Sequence, residues 1–336
     1  GVAGLLPEAG VYHACITGNA SDAATHAAAA RGRPMLLTEH GLAWREAGWI
    51  SGCKPHRSRP PSWIPESPLI GCKPHRTIRR PRDRELVMRQ VLAQARDAYR
   101  TADAVTSVCS PNVAAQRWLG APLERSLMIP NCVPLDVLKA TDVPVSQDSQ
   151  FTIGFVGRVV PVKDLLTLIL AAHLVRRQLP AQFVVVGPLD HDPDYVEGCR
   201  ELVRNLGLDE AFQFVGEADP SDWYHRFDAV ALTSRSEAQP LALLEAMAAG
   251  LPTVATRVGG CRELLSGDIR GRRVPQAGLL VKPGDEHGVA EAILALARNP
   301  ELRRRLGAAG RERARGHHHP TQVWGAYREL YETVAA

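Results

Sequence analysis

Short apolar runs alternate with amphipathic stretches along most of the chain. An apolar run of four to eight residues indicates a buried strand, and a longer stretch with apolar residues three and four positions apart indicates a helix. Strands are predicted at residues 11–17, 34–38, 104–109, 126–129, 151–156, 182–186, 212–215, 229–233, 253–256 and 278–281. Helices are predicted at residues 22–31, 83–102, 112–119, 165–178, 195–206, 222–227, 240–249, 261–265, 289–298, 301–315 and 322–334. This alternation is typical of βαβ units around a parallel sheet.

Two stretches interrupt the alternation. Residues 139–150 are polar and aperiodic, which predicts a linker between a first domain at 1–138 and a second at 151–318, followed by a carboxy-terminal helix at 319–336. Residues 52–82 are rich in Pro, Arg and His and contain Gly-Cys-Lys-Pro-His-Arg twice, which predicts an insertion in a surface loop. The expected architecture is two Rossmann-like, doubly wound α/β domains facing a cleft, with ligands at the carboxyl ends of the strands.

Composition narrows the class of protein without naming a function. The chain has 336 residues, of which 45% are hydrophobic and 23% charged, so whole-chain disorder is excluded. Aromatic residues make up 5% and the net charge is +4, so we expect no nucleic-acid partner. No apolar run approaches the roughly 18 residues of a membrane span.

The cysteines and the first residues of the sequence indicate the cellular compartment. Seven cysteines without a disulfide-like pattern favour a reducing, cytoplasmic location. The sequence opens Gly-Val-Ala-Gly without Met, a basic segment or a long apolar segment, so we expect no signal peptide. The missing Met indicates a fragment or a processed start.

The first candidate site follows the strand predicted at 151–156. Gly157 ends that strand, Arg158 comes next, and Lys163 lies five residues further on, before a predicted helix. Glycine permits close backbone approach to a ligand, and the helix directs its positive end the same way. Two cations at this position suit a diphosphate. The alternative is a tight turn with two solvated cations.

The second candidate site lies around the helix predicted at 240–249. Glu237 precedes Pro240, and Glu245 follows Glu237 with seven residues between them. A carboxylate beside apolar helical neighbours is costly to bury unless a partner binds it, and the two hydroxyls of a ribose suit a carboxylate. The alternative is a capping acid followed by an exposed helical acid.

Together these segments resemble glycosyltransferase family 4, which comprises retaining enzymes of the GT-B fold. Three stretches are similar to the Pel exopolysaccharide (PelF-type) branch, namely Gly-Arg-Val-Val-Pro-Val-Lys-Asp from Gly157, Val-Gly-Pro-Leu-Asp-His-Asp-Pro-Asp-Tyr from Val186, and Thr-Glu-His-Gly from Thr38. The resemblance covers about residues 10–50 and 85–335. It implies transfer of a hexose, glucose from UDP-glucose, to a glycan acceptor, without cofactor or metal and beside a membrane polysaccharide synthase.

The resemblance also implies residue roles. Arg158 and Lys163 would hold the donor diphosphate and stabilise it as it leaves. Glu245 would bind the ribose hydroxyls, and Glu237 would contact the transferred sugar. His40 would face the reacting carbon. The acceptor hydroxyl would attack from the face that the diphosphate leaves. Further donor-binding positions are implied at Gly157, Gly187, Val215, Gly216, Glu217, Ala238, Gln239, Pro240 and Leu241.

The chain departs from the family pattern in three places. Ala238 follows the first glutamate, where the family often has Gly, and the insertion at 52–82 is not a family feature. The first domain is expected to be incomplete, because it lacks early strands and a Gly-rich loop. A donor-binding but inactive truncated protein and a GT-B sugar-nucleotide epimerase therefore stay open as alternatives.

The repeated segment raises one further alternative. Cys53, His56, Cys72 and His75 are of suitable type for zinc and would form a zinc-organised interaction module. The proline inside each pair favours an accidental duplication instead, so no metal site is predicted.

Overall fold

The computed structural model describes residues 6–17, 19–42, 81–134, 150–269 and 272–336. Its strands are β1 (Tyr12–Ala14), β2 (Met35–Glu39), β3 (Ala104–Ser107), β4 (Ser126–Met128), β5 (Phe151–Val156), β6 (Ala181–Val186), β7 (Phe212–Gly216), β8 (Ala229–Leu232), β9 (Thr253–Thr256), β10 (Asp268–Ile269), β11 (Arg272–Arg273) and β12 (Leu279–Val281). Its helices are α1 (Asn19–Arg31), α2 (Pro81–Thr101), α3 (Ser110–Trp118), α4 (Leu165–Arg176), α5 (Pro193–Asn205), α6 (Ser221–Tyr224), α7 (Leu241–Ala249), α8 (Cys261–Leu265), α9 (Glu286–Arg298), α10 (Pro300–His317) and α11 (Pro320–Ala335).

The chain divides into two compact units. The first comprises Gly1–Pro130 and Val323–Ala336, and the second comprises Asn131–Gln322. The predicted domain boundary at 138 and residues 139–149 of the predicted linker lie outside the described residues. The predicted insertion also lies outside them up to residue 80, whereas its last two residues begin α2. Pro81 suits that position, because a helix needs no amide donor at its first residue.

The first unit contains a four-stranded parallel sheet in the order β1-β2-β3-β4. Every residue of β2 and β3 is buried. Helix α1 contributes Ala24, Ala27 and Ala28 to the core, and α2 contributes the fully buried Tyr99. Small alanine side chains let α1 approach the sheet closely, so an alanine-rich helix of weak amphipathicity still has a well-packed inner face.

The second unit contains a six-stranded parallel sheet in the order β12-β9-β8-β5-β6-β7. Numbered within the unit, this is the Rossmann order 3-2-1-4-5-6, and it reverses between β5 and β8. These two strands pair through Ile153 with Ala229 and Gly154 with Val230. Ligands bind outside the carboxyl ends of the strands at such a reversal, so a ligand site is expected at the loops after β5 and β8.

The predicted α/β class with Rossmann-like parallel sheets is confirmed, while several element ends differ. Strand β1 is shorter than the predicted 11–17, and α6 ends at Tyr224 rather than at residue 227. Helix α7 begins at Leu241 because Pro240 has an extended ψ of 125°. The antiparallel pair β10–β11 was not predicted, since two-residue strands carry no periodic signal. Within the described residues, no helix is long and apolar enough to cross a membrane.

Candidate functional site

Glycines mark the carboxyl ends of three neighbouring strands of the second unit. Gly157, Gly187 and Gly216 have φ of 146°, 145° and 88°, which side chains disfavour. The Gly157 amide donates to the Val186 carbonyl at 2.9 Å, and the Gly187 amide donates to the Gly216 carbonyl at 2.8 Å. A Cβ on Gly187 would lie 2.3 Å from the Gly157 oxygen. The ends of β5, β6 and β7 therefore form a closely packed edge of bare backbone.

The loop after β5 carries the two predicted cations. Arg158 is exposed, and Lys163 ends a 3₁₀ turn at Pro161–Lys163. A Cβ on Gly157 would lie 4.0 Å from the Lys163 Cε, so this lysine extends along the glycine edge. Asp164, at the start of α4, has a left-handed backbone with φ 49° and ψ 50°.

The loop after β8 brings Glu237 to Lys163. The Lys163 Nζ lies 2.6 Å from the Glu237 Oε1, and the two side chains are 18% and 10% exposed. The Ser234 hydroxyl donates to the same carboxylate oxygen at 2.6 Å. Two predicted site residues 74 positions apart in sequence thus form a well-buried ion pair at the strand-order reversal.

The backbone around Ala238 and Gln239 is held from two sides. The Gly260 amide donates to the Ala238 carbonyl at 2.6 Å, and the positive φ of Gly259 brings its backbone against that of Glu237. The Gln239 Oε1 accepts from the Asn131 amide at 2.6 Å, while the Asn131 Nδ2 donates to the Gln239 carbonyl at 2.9 Å. The buried Gln239 side chain is therefore engaged with Asn131.

Helix α7 presents Glu245 to Tyr224 of α6. The Tyr224 hydroxyl donates to the Glu245 Oε2 at 2.6 Å. Burial raises the pKa of Glu245, and nearby Asp219 adds to that effect, whereas the Tyr224 hydrogen bond lowers it. Burial and the Glu245 charge raise the pKa of Tyr224, so this phenol stays a donor. Leu241, at the start of α7, is exposed.

The remaining predicted positions lie at two other strand ends. Val215 is half-buried in β7, and Glu217 is exposed just beyond Gly216. His40 is exposed in the first unit, immediately after β2. Its role at the reacting carbon stays a prediction.

The sequence suggested no role for three residues at these loops, namely Asp164, Ser234 and Tyr224. Tyr224 contacts Glu245 from 21 positions away, and Arg235 contacts Asp164 from 71 positions away. Nothing in their local sequence marks those partners. Cys53, His56, Cys72 and His75, which are of suitable type for zinc but are not predicted to form a site, lie outside the described residues. Within the described residues, no cluster of His, Cys, Asp and Glu could hold a metal ion.

The second unit is therefore a Rossmann-like α/β unit with charged loops outside its strand-order reversal. Residues 139–313 match the family model "Glycosyl transferases group 1", and residues 2–124 match "Domain of unknown function (DUF3492)". Since the first match covers about half of the chain, this protein belongs to the group 1 glycosyl transferases.

Relatives and solved structures agree with the fold. A D-inositol 3-phosphate glycosyltransferase of Kribbella flavida is 35% identical over 210 residues, which are 58% of this chain and 47% of that protein. The chain thus spans about half the length of this curated relative. Sucrose-phosphate synthase from Thermosynechococcus elongatus superposes with a TM-score of 0.73 and 22% identity, over 96% of this chain and 73% of that one. Anabaena Alr3699/HepE in complex with UDP-glucose superposes with a TM-score of 0.69 and 20% identity, over 94% and 76%. The fold is GT-B.

Proposed function

We propose that this protein is a retaining, metal-independent hexosyltransferase that moves glucose from UDP-glucose onto a glycan or polysaccharide acceptor. The observation that carries the proposal is the Lys163–Glu237 ion pair, which lies with Arg158 beside a glycine edge where the strand order reverses. The UDP-glucose complex of a structural neighbour supports the choice of donor. Membership of glycosyltransferase family 4 and of its Pel-type branch is part of the same proposal.

Arg158 and Lys163 hold the donor diphosphate in this account. Each supplies charge-assisted hydrogen bonds, and the charge that develops on the leaving diphosphate strengthens them in the transition state. The Lys163 ammonium has three N–H donors, so it can keep its bond to Glu237 while donating to a phosphate oxygen. The backbone edge at Gly157, Gly187 and Gly216 leaves room for the nucleotide, with Val215 and Glu217 beside the base.

Two carboxylates bind the sugars of the donor. Glu245 accepts from the ribose hydroxyls, and Tyr224 fixes the direction of its carboxylate. Glu237 contacts the hexose, held by Lys163 and Ser234. Ala238, Gln239, Pro240 and Leu241 contribute backbone at the start of α7.

The acceptor side belongs to the first unit, with His40 at the reacting carbon. The acceptor hydroxyl attacks from the face that the diphosphate leaves, so the bond between the reacting carbon and the diphosphate oxygen breaks as the bond to the acceptor oxygen forms. The hydroxyl proton passes to the departing diphosphate, and no enzyme nucleophile is involved. We further propose a cytoplasmic location beside a membrane polysaccharide synthase.

Removal of both cations tests the diphosphate role. We expect R158A/K163A to weaken UDP binding by about 100-fold, about tenfold for each lost charge-assisted interaction. Uridine, which lacks the diphosphate, should bind both proteins with similar affinity. Isothermal titration calorimetry measures both ligands. R204A, which removes an exposed arginine paired with Glu197, is the matched control and should change neither affinity. Equal losses for UDP and uridine would remove Arg158 and Lys163 from the diphosphate site.

A further inference from the structure

Asp164 has an unusual backbone conformation directly after Lys163. Among the described residues it is the one non-glycine residue with positive φ, at 49°. Asp tolerates this left-handed region better than most residues, yet the conformation persists only where the surroundings enforce it. Such outliers cluster at ligand-binding loops.

Tethers from the loop after β8 hold this conformation. The Asp164 carboxylate, 2% exposed, accepts from the Arg235 Nε at 2.9 Å. The Asp164 carbonyl accepts from the Thr233 hydroxyl at 2.9 Å, and the Arg235 amide donates to the Val162 carbonyl at 2.8 Å. Residues 233–235 are therefore hydrogen-bonded to residues 162–164 through both side chains and backbone.

Capping of helix α4 does not explain where the Asp164 carboxylate lies. Asp164 is the residue before that helix, but its side chain accepts no backbone amide there. The Oδ2 atom instead binds the Thr167 hydroxyl at 2.9 Å and Arg235. The carboxylate therefore joins the loop after β5 to the loop after β8.

We propose that Asp164 is a positioning residue for Lys163, holding its ammonium at the place where the donor diphosphate binds. The inference rests on the proposed function. Because Lys163 is bonded covalently to Asp164, a fixed Asp164 backbone fixes where the lysine side chain starts. The same loop after β8 carries Glu237. The Asp164–Arg235 pair therefore holds the two loops at the separation that the Lys163–Glu237 ion pair requires.

Two substitutions separate the carboxylate from the backbone conformation. D164N keeps an acceptor and tolerates positive φ but removes the charge that holds Arg235. D164G adopts positive φ freely but removes the tether altogether. We expect UDP affinity to fall about tenfold in D164N and further in D164G, while uridine affinity stays within about twofold, because one charge-assisted interaction of the diphosphate is misplaced. Calorimetry gives the affinities, and melting temperatures verify that the variants fold.

D228N is the control, because Asp228 is a half-buried carboxylate of this unit that accepts the Thr152 amide at the opposite end of the sheet. It should leave the ratio of UDP to uridine affinity unchanged. If the two residues act as one tether, the double variant D164N/R235A should lose no more UDP affinity than the more strongly affected of the single variants D164N and R235A.

The outcomes separate the inference from the proposed function. Unchanged UDP affinity in D164N and D164G, or equal losses of UDP and uridine affinity, would overturn the positioning role alone. Absence of UDP binding by the unsubstituted chain would overturn the proposed function, and the positioning role with it.

Discussion

At the scale of single residues, the environment of Glu245 decides how the proposed ribose site responds to pH. The carboxylate is partly buried, and burial raises its pKa. The hydrogen bond from Tyr224 acts in the opposite direction by stabilising the ionised form. A carboxylate accepts ribose hydroxyls more strongly when it is ionised, because hydrogen bonds to a charged acceptor are stronger than those to a neutral one.

Uridine affinity should therefore fall as the pH is lowered through the pKa of Glu245. Because this pKa is raised, the fall should occur at a higher pH than an ordinary carboxyl group would give. Y224F removes the hydrogen bond that lowers this pKa, so the fall should begin at a higher pH. E245Q carries no titratable group and should show weak, pH-independent binding. Uridine titrations over a pH series measure all three. A wild-type affinity that is flat with pH while E245Q binds equally well would remove Glu245 from the ribose site.

At the scale of elements, the second sheet depends on glycine at the end of β6. Gly187 has φ of 145°, and a Cβ there would lie 2.3 Å from the Gly157 oxygen. The strands carrying these residues are hydrogen-bonded along their whole length, from Phe151 with Ala181 to Val156 with Val186. Neither backbone can move aside without disturbing that pairing.

We expect G187A to destabilise the protein by about 3 kcal/mol, from the disfavoured φ and the steric overlap together. G198A, within helix α5 and with open space around its Cβ position, should stabilise the protein by about 1 kcal/mol, because Ala favours helix more than Gly. Chemical denaturation gives both values. A G187A protein as stable as wild type would show that the strand ends separate readily.

In the first unit, Glu39 joins β2 to two helices. Its carboxylate is fully buried and accepts from Thr17 at 2.9 Å, from Gln116 of α3 at 3.1 Å and from Tyr99 of α2. Burial raises its pKa, and these hydrogen bonds only partly offset that effect. The folded state therefore holds the Glu39 proton at pH values where the unfolded chain has released it.

Glu39 should make stability fall as the pH rises from the ordinary carboxyl range through its raised pKa. E39Q does not titrate, so its melting temperature should rise relative to that of wild type as the pH increases through this window, and the difference between the two should stay constant below it. E124Q, at an exposed glutamate of the same unit, should track wild type at every pH. A constant difference between E39Q and wild type across the window would show that Glu39 titrates in the folded protein as it does in the unfolded chain.

At the scale of the whole molecule, the sequence predicted the helices and strands better than it predicted the contacts between side chains that are distant in sequence. Periodicity located the strands that flank the order reversal, and the motif at Gly157 to Lys163 follows β5 as expected. Glu237 was predicted beside the sugar, but its ion pair with Lys163 depends on the pairing of β5 with β8, which no local pattern encodes. The Asp164–Arg235 tether was missed for the same reason, since the two side chains meet only through the order of the strands.

Membership of the group 1 glycosyl transferases and the GT-B fold are supported by the family model and the solved structures, whereas the acceptor, the donor and the residue roles are proposals. The donor can be tested on the chain as it is, without knowing the acceptor. A ligand present at 100 times its dissociation constant stabilises a protein by about 2.7 kcal/mol, which shifts melting by several degrees in a unit of this size.

The most direct measurement is therefore the melting temperature of the purified chain with UDP, GDP, ADP, UDP-glucose, UDP-N-acetylglucosamine and GDP-mannose in turn. We expect shifts with the uridine nucleotides alone, and a larger shift with UDP-glucose than with UDP-N-acetylglucosamine. A cooperative melt that no nucleotide shifts would contradict the proposed transferase function, and a shift with GDP or ADP species alone would contradict the proposed donor.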